Sequence, residues 1–334
     1  MAAAILAHVA GLGLIYLAAF ITGTGSALRV TAAVTVVPRL AEPADLERAN
    51  ARVVTGQIVG NELAGPAAGG WLFGMAAVLP FAINTGTLGI GVLLLLTLPS
   101  VFRPVPPERA GREQVSAMAA ARRDLRDGVR WLWRHAELRN VTIAAAVLCA
   151  MDAAWFAVLV LYVIQILHRT AGVYGLLLVV GALGGIAIGM LAERVLRRLG
   201  PWPALLAAGL AMAVSQGGLG LTGNIIVAAV MLFVSSGAFA LFNITAVTMR
   251  QRQVPAGMLG RVGGMYLTVS RSAEVLGAIL GGALASSAGI RAPMLFGAIP
   301  TAVVMIFLAW QHRSRRDPAA ALGTWRSWWS RPPT

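Results

Sequence analysis

One nine-residue pattern occurs twice and restricts the fold more than anything else in the chain. Residues 62–70 read Glu62-Leu-Ala-Gly65-Pro66-Ala-Ala-Gly69-Gly70, and residues 274–282 read Glu274-Val-Leu-Gly277-Ala-Ile-Leu-Gly281-Gly282. Both fit E-x-x-G-x-x-x-G-G, they lie 212 residues apart (274 − 62), and each sits in a long apolar segment. Internal repetition on this scale belongs to folds assembled from two related bundles of membrane helices. The repeat extends beyond the glycines. Gly25-Ser-Ala-Leu-Arg-Val-Thr aligns with Gly237-Ala-Phe-Ala-Leu-Phe-Asn-Ile-Thr near the same offset, and Leu46-Glu47-Arg48 aligns with Leu259-Gly260-Arg261 at 213.

Composition agrees with a bilayer. The chain is 58% hydrophobic and only 12% charged, about half the charged fraction of a soluble globule. Apolar runs of roughly 20 residues, each long enough to cross a membrane, recur along it. Nine spans are expected, at about 11–37, 52–73, 77–98, 140–166, 172–192, 202–222, 224–249, 262–287 and 291–311. The pattern divides the chain into 1–98 (three spans and a helix stub), a polar loop 99–139, a six-span unit 140–311 and a tail 312–334. Within the loop, Val115, Met118, Leu125, Val129, Leu132 and Ala136 recur at helical spacing between arginines, which predicts an amphipathic helix along the membrane surface. Because spans one to three repeat spans seven to nine, the arithmetic 140 − 213 = −73 predicts about 73 further residues, with three helices, ahead of Met1.

All 27 basic residues are arginine, giving a net charge of +14. Loops 38–51, 99–139, 193–201 and 250–261, with the tail from 312, hold or border 23 of them; the opposite loops hold Arg169 and Arg291. That asymmetry sets these loops and the C-terminus in the cytoplasm. The excess is the ordinary basic bias of membrane loops, and no nucleic-acid partner is expected. Trp325, Trp328, Trp329, Arg326 and Arg331 suit a tail touching lipid. Cys149 is expected to be inert packing, and the scattered His8, His135, His168 and His312 give no metal-ligand spacing.

Several motifs resemble the major facilitator superfamily of secondary transporters. Val37-Pro38-Arg39, Leu46-Glu-Arg-Ala-Asn50-Ala and Gly65-Pro66-Ala-Ala-Gly69-Gly70 are similar to the fourth and fifth helices of its enterobactin-exporter and macrolide-efflux branch. Gln253-Val-Pro255 followed by Leu259-Gly-Arg261 resembles the junction of that branch's tenth and eleventh helices. Gly189-Met-Leu-Ala-Glu193-Arg194-Val-Leu-Arg197-Arg198-Leu-Gly200 resembles the second copy of the superfamily's G-x-L-a-D-R-x-x-R-R-x-G loop, with Glu for Asp. The resemblance covers helices four to twelve of twelve. It implies an all-α polytopic membrane protein, a helical bundle of about nine spans with an incomplete N-terminal half. Two features depart from the family: its first-copy loop is missing, and Arg52 and Asn61 stand where its antiporter motif has glycines.

Five ionisable residues fall inside predicted spans: Arg29, Glu62, Asp152, Arg271 and Glu274. A charge at mid-membrane costs roughly 2.5–3.5 kcal/mol on insertion scales, so each should face protein or water. The resemblance places family helices four, seven and ten on a central cavity, which would bring Arg29, Asp152 and Asn243 together there, with Trp155 and Phe239 nearby. Asp152 is the first candidate for a coupling proton site and Glu62 the second; a static buried pair is the other reading. Arg271 and Glu274, at i and i+3, should pair within one helix. Gly65, Pro66, Gly69 and Gly70, and the repeat copy Gly277, Gly281 and Gly282, form small-residue faces that suit either an inter-half gate seal or ordinary helix packing. Glu193 with Arg194, Arg197 and Arg198 reads as a cytoplasmic latch, Glu193 facing the helix end that begins near Arg52, or as positive-inside anchoring.

The expected function is secondary active transport: proton-coupled export of bulky amphipathic small molecules (drug, macrolide or siderophore-like) by alternating access. The expected setting is the plasma (inner) membrane, as a monomer, with a proton gradient and no cofactor. No nucleotide-binding G-x-x-x-x-G-K-[ST] occurs, and no nucleophile-and-base pair suggests an enzyme. The alternative is a non-transporting membrane remnant or interaction protein.

Overall fold

The computed structural model describes residues 23, 25, 36–38, 40–65, 68, 72, 75, 76, 79–96 and 117–314. Every regular element among them is helical. A 3-10 turn, Pro43–Asp45, leads into α1 (Leu46–Ile58), which widens into a π-helical segment, Val59–Ala64. Then come α2 (Leu79–Leu96), α3 (Ala117–Arg134), α4 (Ala136–Phe156), α5 (Leu159–Gln165), α6 (Ala171–Leu199), α7 (Pro201–Leu221), α8 (Ile225–Gln253), α9 (Leu259–Ala288) and α10 (Ala292–Ser314). Among the described residues six helical segments are long and apolar enough to cross a membrane, α4 and α5 together forming the first.

Local chemistry sets the boundaries. Gly200, at φ 81°, turns the chain out of α6, and Pro201 starts α7 where its missing N–H is harmless. Asn224 caps α8 by accepting from Ile226 N at 2.8 Å and Val227 N at 3.4 Å. Gly289, at φ 92°, ends α9.

The six-span unit is held by α6 on α8, α9 on α4, α7 between α8 and α10, and α10 on α4. Leu148, Leu205, Met212, Phe242, Met305 and Leu308 fill one core layer, and Trp155, Leu159, Tyr162, Leu177, Leu219 and Met294 fill a second. The outer faces are as apolar as the core: Val275, Leu276 and Ile279 on α9, and Ile299, Val303 and Ile306 on α10, are all exposed. Such surface belongs against lipid. From the described N-terminal residues, α1 docks on this unit against α6 and α8, and the π-helical segment that follows it docks against α6.

Residues 140–166 form the expected span, Ala136–Gln165, in two helical pieces: Ala157 and Val158 interrupt it, and Val158 N turns to Trp155 O at 3.2 Å. The amphipathic helix α3 is present, but its inner face packs on the start of α9. Leu132 is buried there, a Cβ on Gly128 would stand 3.1 Å from the Arg261 carbonyl oxygen, and Asp127 pairs with Arg261 at 3.7 Å. Arg123, Arg126 and Arg130 are left on the opposite, exposed face.

Candidate functional site

A cavity of about 190 Å³ lies where α4, α8 and α9 meet, lined by Cys149, Asp152, Ala153 and Phe156 from α4, Phe239 from α8 and Glu274 from α9. Asp152 and Phe156 share a face of α4 because they are four residues apart. Phe156 is the last residue before the helix break, so the acidic wall of the cavity adjoins the bend. No proline or glycine marks that bend, which is why the sequence did not show it.

The cavity holds two carboxylates, and Glu274 is the one the sequence reading assigned elsewhere. Its ion pair with Arg271 forms as expected, Nη1 to Oε2 at 2.7 Å, but the same carboxylate faces Asp152's cavity. Trp155 is buried in the second core layer, not on the cavity wall; its Nε1 donates to Asp152 Oδ1 at 3.1 Å and so orients the carboxylate. Asn243 shares Phe239's face of α8, yet its Nδ2 donates to the Phe239 carbonyl oxygen at 3.2 Å. Arg29 lies outside the described residues, as do Pro66, Gly69 and Gly70. The backbone of Glu62 is in the π-helical segment. Gly65 closes that segment: its N–H bonds the Gly60 carbonyl oxygen, and an added Cβ would stand 2.6 Å from that oxygen.

The glycines of the second repeat copy behave unequally. Cβ atoms on Gly277 and Gly281 would collide with the backbones of Ala150 and Ala154, so these two let α9 lie directly on α4, inside the six-span unit. Among the described residues nothing lies within 4 Å of a Cβ placed on Gly282.

A second polar centre sits where α1 meets α6 and α8. Asn50, buried, donates from Nδ2 to Thr248 Oγ1 at 2.9 Å and to Gln251 Oε1 at 2.6 Å. Arg252 Nη2 pairs with Glu47 Oε1 at 2.6 Å. Glu193 takes Arg48 Nε at 3.2 Å and Arg197 Nη1 at 3.7 Å. Its partner is therefore an α1 side chain, where the sequence suggested the helix end near Arg52. Arg194 and Arg198 are exposed. Above these pairs, Gly185 and Gly189 on α6 receive Ile58 and Thr55. The sequence reading did not single out Asn50, Glu47 or Arg252; the Leu-Glu-Arg-Ala-Asn motif was the available signal. Among the described residues no cluster of His, Cys, Asp and Glu suits a metal ion.

The Major Facilitator Superfamily model fits residues 1–278. The chain belongs to that superfamily. It is therefore a multi-pass membrane protein of a family of transporters, not enzymes. It is 25% identical over 317 residues to the enterobactin exporter EntS of Citrobacter koseri, a match covering 91% of this chain and 71% of the exporter. The fold is similar to the crystal structure of the human organic anion transporter MFSD10 (TETRAN), with a TM-score of 0.68 at 17% identity, over 84% of this chain and 67% of that one.

Proposed function

We propose that this superfamily member is a proton-driven exporter of bulky amphipathic small molecules that works by alternating access. In this reading it resides in the plasma membrane with its C-terminus in the cytoplasm, and it uses a proton gradient and no cofactor. The observation that carries the reading is the cavity shared by Asp152 and Glu274 with Phe156 and Phe239. A fixed charge inside a membrane is expensive. A carboxylate that binds a proton when the cavity faces one solution, and releases it to the other, avoids that cost and links proton flow to access. The two phenylalanines give an apolar body something to lie against. The curated relative named an exporter supports the direction of transport.

The clasp at α1 supplies the gate. Asn50, Glu47 and Arg48 hold α1 against α8 and α6 at the arginine-rich end, which closes that end. Opening it requires these polar contacts to break together. Side chains meeting glycines can separate without unfolding either helix.

The test is transport in proteoliposomes under an imposed pH gradient. Asp152→Asn keeps size and hydrogen bonding but cannot titrate. It should abolish gradient-driven export while the protein stays folded and still binds substrate. Equal transport by mutant and parent rules Asp152 out, and Glu274→Gln is then the next variant. Orientation is checked by cysteine labelling: Thr222 or Gly289 from outside, Arg197 only after permeabilisation.

A further inference from the structure

We propose that the outer face of α3 binds the head groups of anionic phospholipids, with Trp133 and Arg139 as its anchor beside the span formed by α4 and α5. The inference goes beyond the transport reading and does not depend on it.

α3 is held at the edge of the membrane. Its last residue, Arg134, stands two residues ahead of Ala136, where that span begins. Its inner face packs on the opening of α9, where Leu132 joins Leu259 and Val262 in one buried cluster. The first turns of two spans therefore fix its level, and a segment at that level lies among lipid head groups.

With one side docked, helical spacing decides what the other side presents. Arg123, Arg126, Arg130 and Arg134 recur at i, i+3, i+7 and i+11, and all four are exposed. Trp133, seven residues after Arg126, continues the stripe and is 58% exposed. Trp131 goes to the docked side and packs against the Leu132 cluster, so the helix buries one indole and leaves the other out. An open indole suits the boundary between water and lipid. Arg139, in the first turn of α4, lies over the Trp133 ring with its Cζ 5.3 Å from the ring centre. Its Nη1 donates to the Trp133 carbonyl oxygen at 3.4 Å, which carries the basic stripe onto the span itself.

Neither acid of α3 sits in the stripe. Asp127 pairs with Arg261 at 3.7 Å, and Asp124, two residues before Arg126, falls on the other side of the helix. The neighbouring segments outside the described residues carry further positive charge: 97–116 holds three arginines against two acids, and 315–334 four against one. The counter-charge that complements this face is therefore an external anion. A phosphodiester offers paired oxygens to a guanidinium. Basic residues grouped on an amphipathic helix beside a span attract acidic lipid, and eleven residues of helix cover about 17 Å, which gives room for neighbouring head groups.

The experiment offers the full chain, purified in detergent, equal amounts of phosphatidylglycerol and phosphatidylcholine. Retained lipid is counted by native mass spectrometry after size-exclusion chromatography. The parent should retain phosphatidylglycerol in preference. Arg126→Gln with Arg130→Gln should cut that preference by roughly fivefold per arginine, the size expected of a basic side chain near an acidic surface. Should this pair fail to fold, Arg130→Gln alone carries the test at one such step. Arg194→Gln with Arg198→Gln removes the same charge from exposed positions on α6 and should change the preference far less. Trp133→Ala should lower retention of both lipids. Equal losses from the two arginine pairs reduce the effect to net charge and overturn the site, as does a parent without preference. Displacement of the lipid by excess inorganic phosphate makes the face a free-anion site. Tighter capture of poly-glutamate than of phosphatidylglycerol vesicles makes it a protein-docking face. Either result overturns the lipid assignment.

Discussion

Two interfaces of the six-span unit use glycine for opposite ends. Between α4 and α9, Gly277 and Gly281 bring backbone against backbone at Ala150 and Ala154. Between α6 and α1, Gly185 and Gly189 meet side chains, Ile58 and Thr55, and the contact is bordered by Asn50, Glu47–Arg252 and Arg48–Glu193. Backbone contact has no small movement open to it, because packed interiors resist strain. Side-chain contact can release by rotamer change. The first interface suits a rigid body, and the second suits a boundary between bodies that must part. The two seams can even be traced on one helix. Gly184 of α6 lies on the backbone of Phe233 in α8, while its neighbour Gly185 receives Ile58 from α1.

The comparison can be broken first at the rigid seam. Gly281→Val puts a branched side chain into the Ala154 backbone, and overpacking of this kind costs at least about 1–3 kcal/mol. The expected outcome is loss of the monodisperse peak in size-exclusion chromatography; a well-folded, active Gly281→Val protein contradicts the rigid-seam account. Next comes the movable seam. Cysteines at Thr55 and Gly189 should cross-link under mild oxidation and stop transport, with reduction restoring it. Free transport by the cross-linked form shows that α1 and α6 do not separate.

Smaller effects sharpen the contrast. Asn50→Ala removes two buried hydrogen bonds between α1 and α8, worth about 1–3 kcal/mol against the closed form. Labelling of a cysteine at Thr55 should then speed up by roughly tenfold or more, with little change in melting temperature. Glu47→Gln should act in the same direction and more strongly than Glu193→Gln, because the Glu47–Arg252 side chains are 14% and 21% exposed, against 30% and 55% for Glu193–Arg48. An exposed pair is worth about 0–1 kcal/mol, so Glu193→Gln should change labelling least. The reverse order of these two variants removes the ranking by burial.

Much of this was readable in the chain. Spacing alone gave α3, and the i, i+3 rule gave Arg271–Glu274, because both are local. Hydropathy gave helices close to α6, α7, α8, α9 and α10, since a bilayer accepts little but long apolar helices. The candidate site was only half legible. Asp152 and Phe239 were found as polar or aromatic residues at helical spacing. Glu274 was read as half of an ion pair within one helix, because nothing in the sequence says which side of α9 faces α4.

What the sequence determined by itself was the membrane, the helices, their arginine-rich ends and the family, all properties of segments or of motifs read one at a time. The tertiary structure decided the rest. It set Asp152 beside Glu274 across 122 residues (274 − 152). It placed Asn50 between Thr248 and Gln251, and it left Arg250 buried on Tyr266. It also separated Gly281, locked on Ala154, from Gly282, whose Cβ position has no described atom within 4 Å. The reason is geometric. A helix fixes which residues share its own face, but which face meets which neighbour depends on how all the helices pack at once.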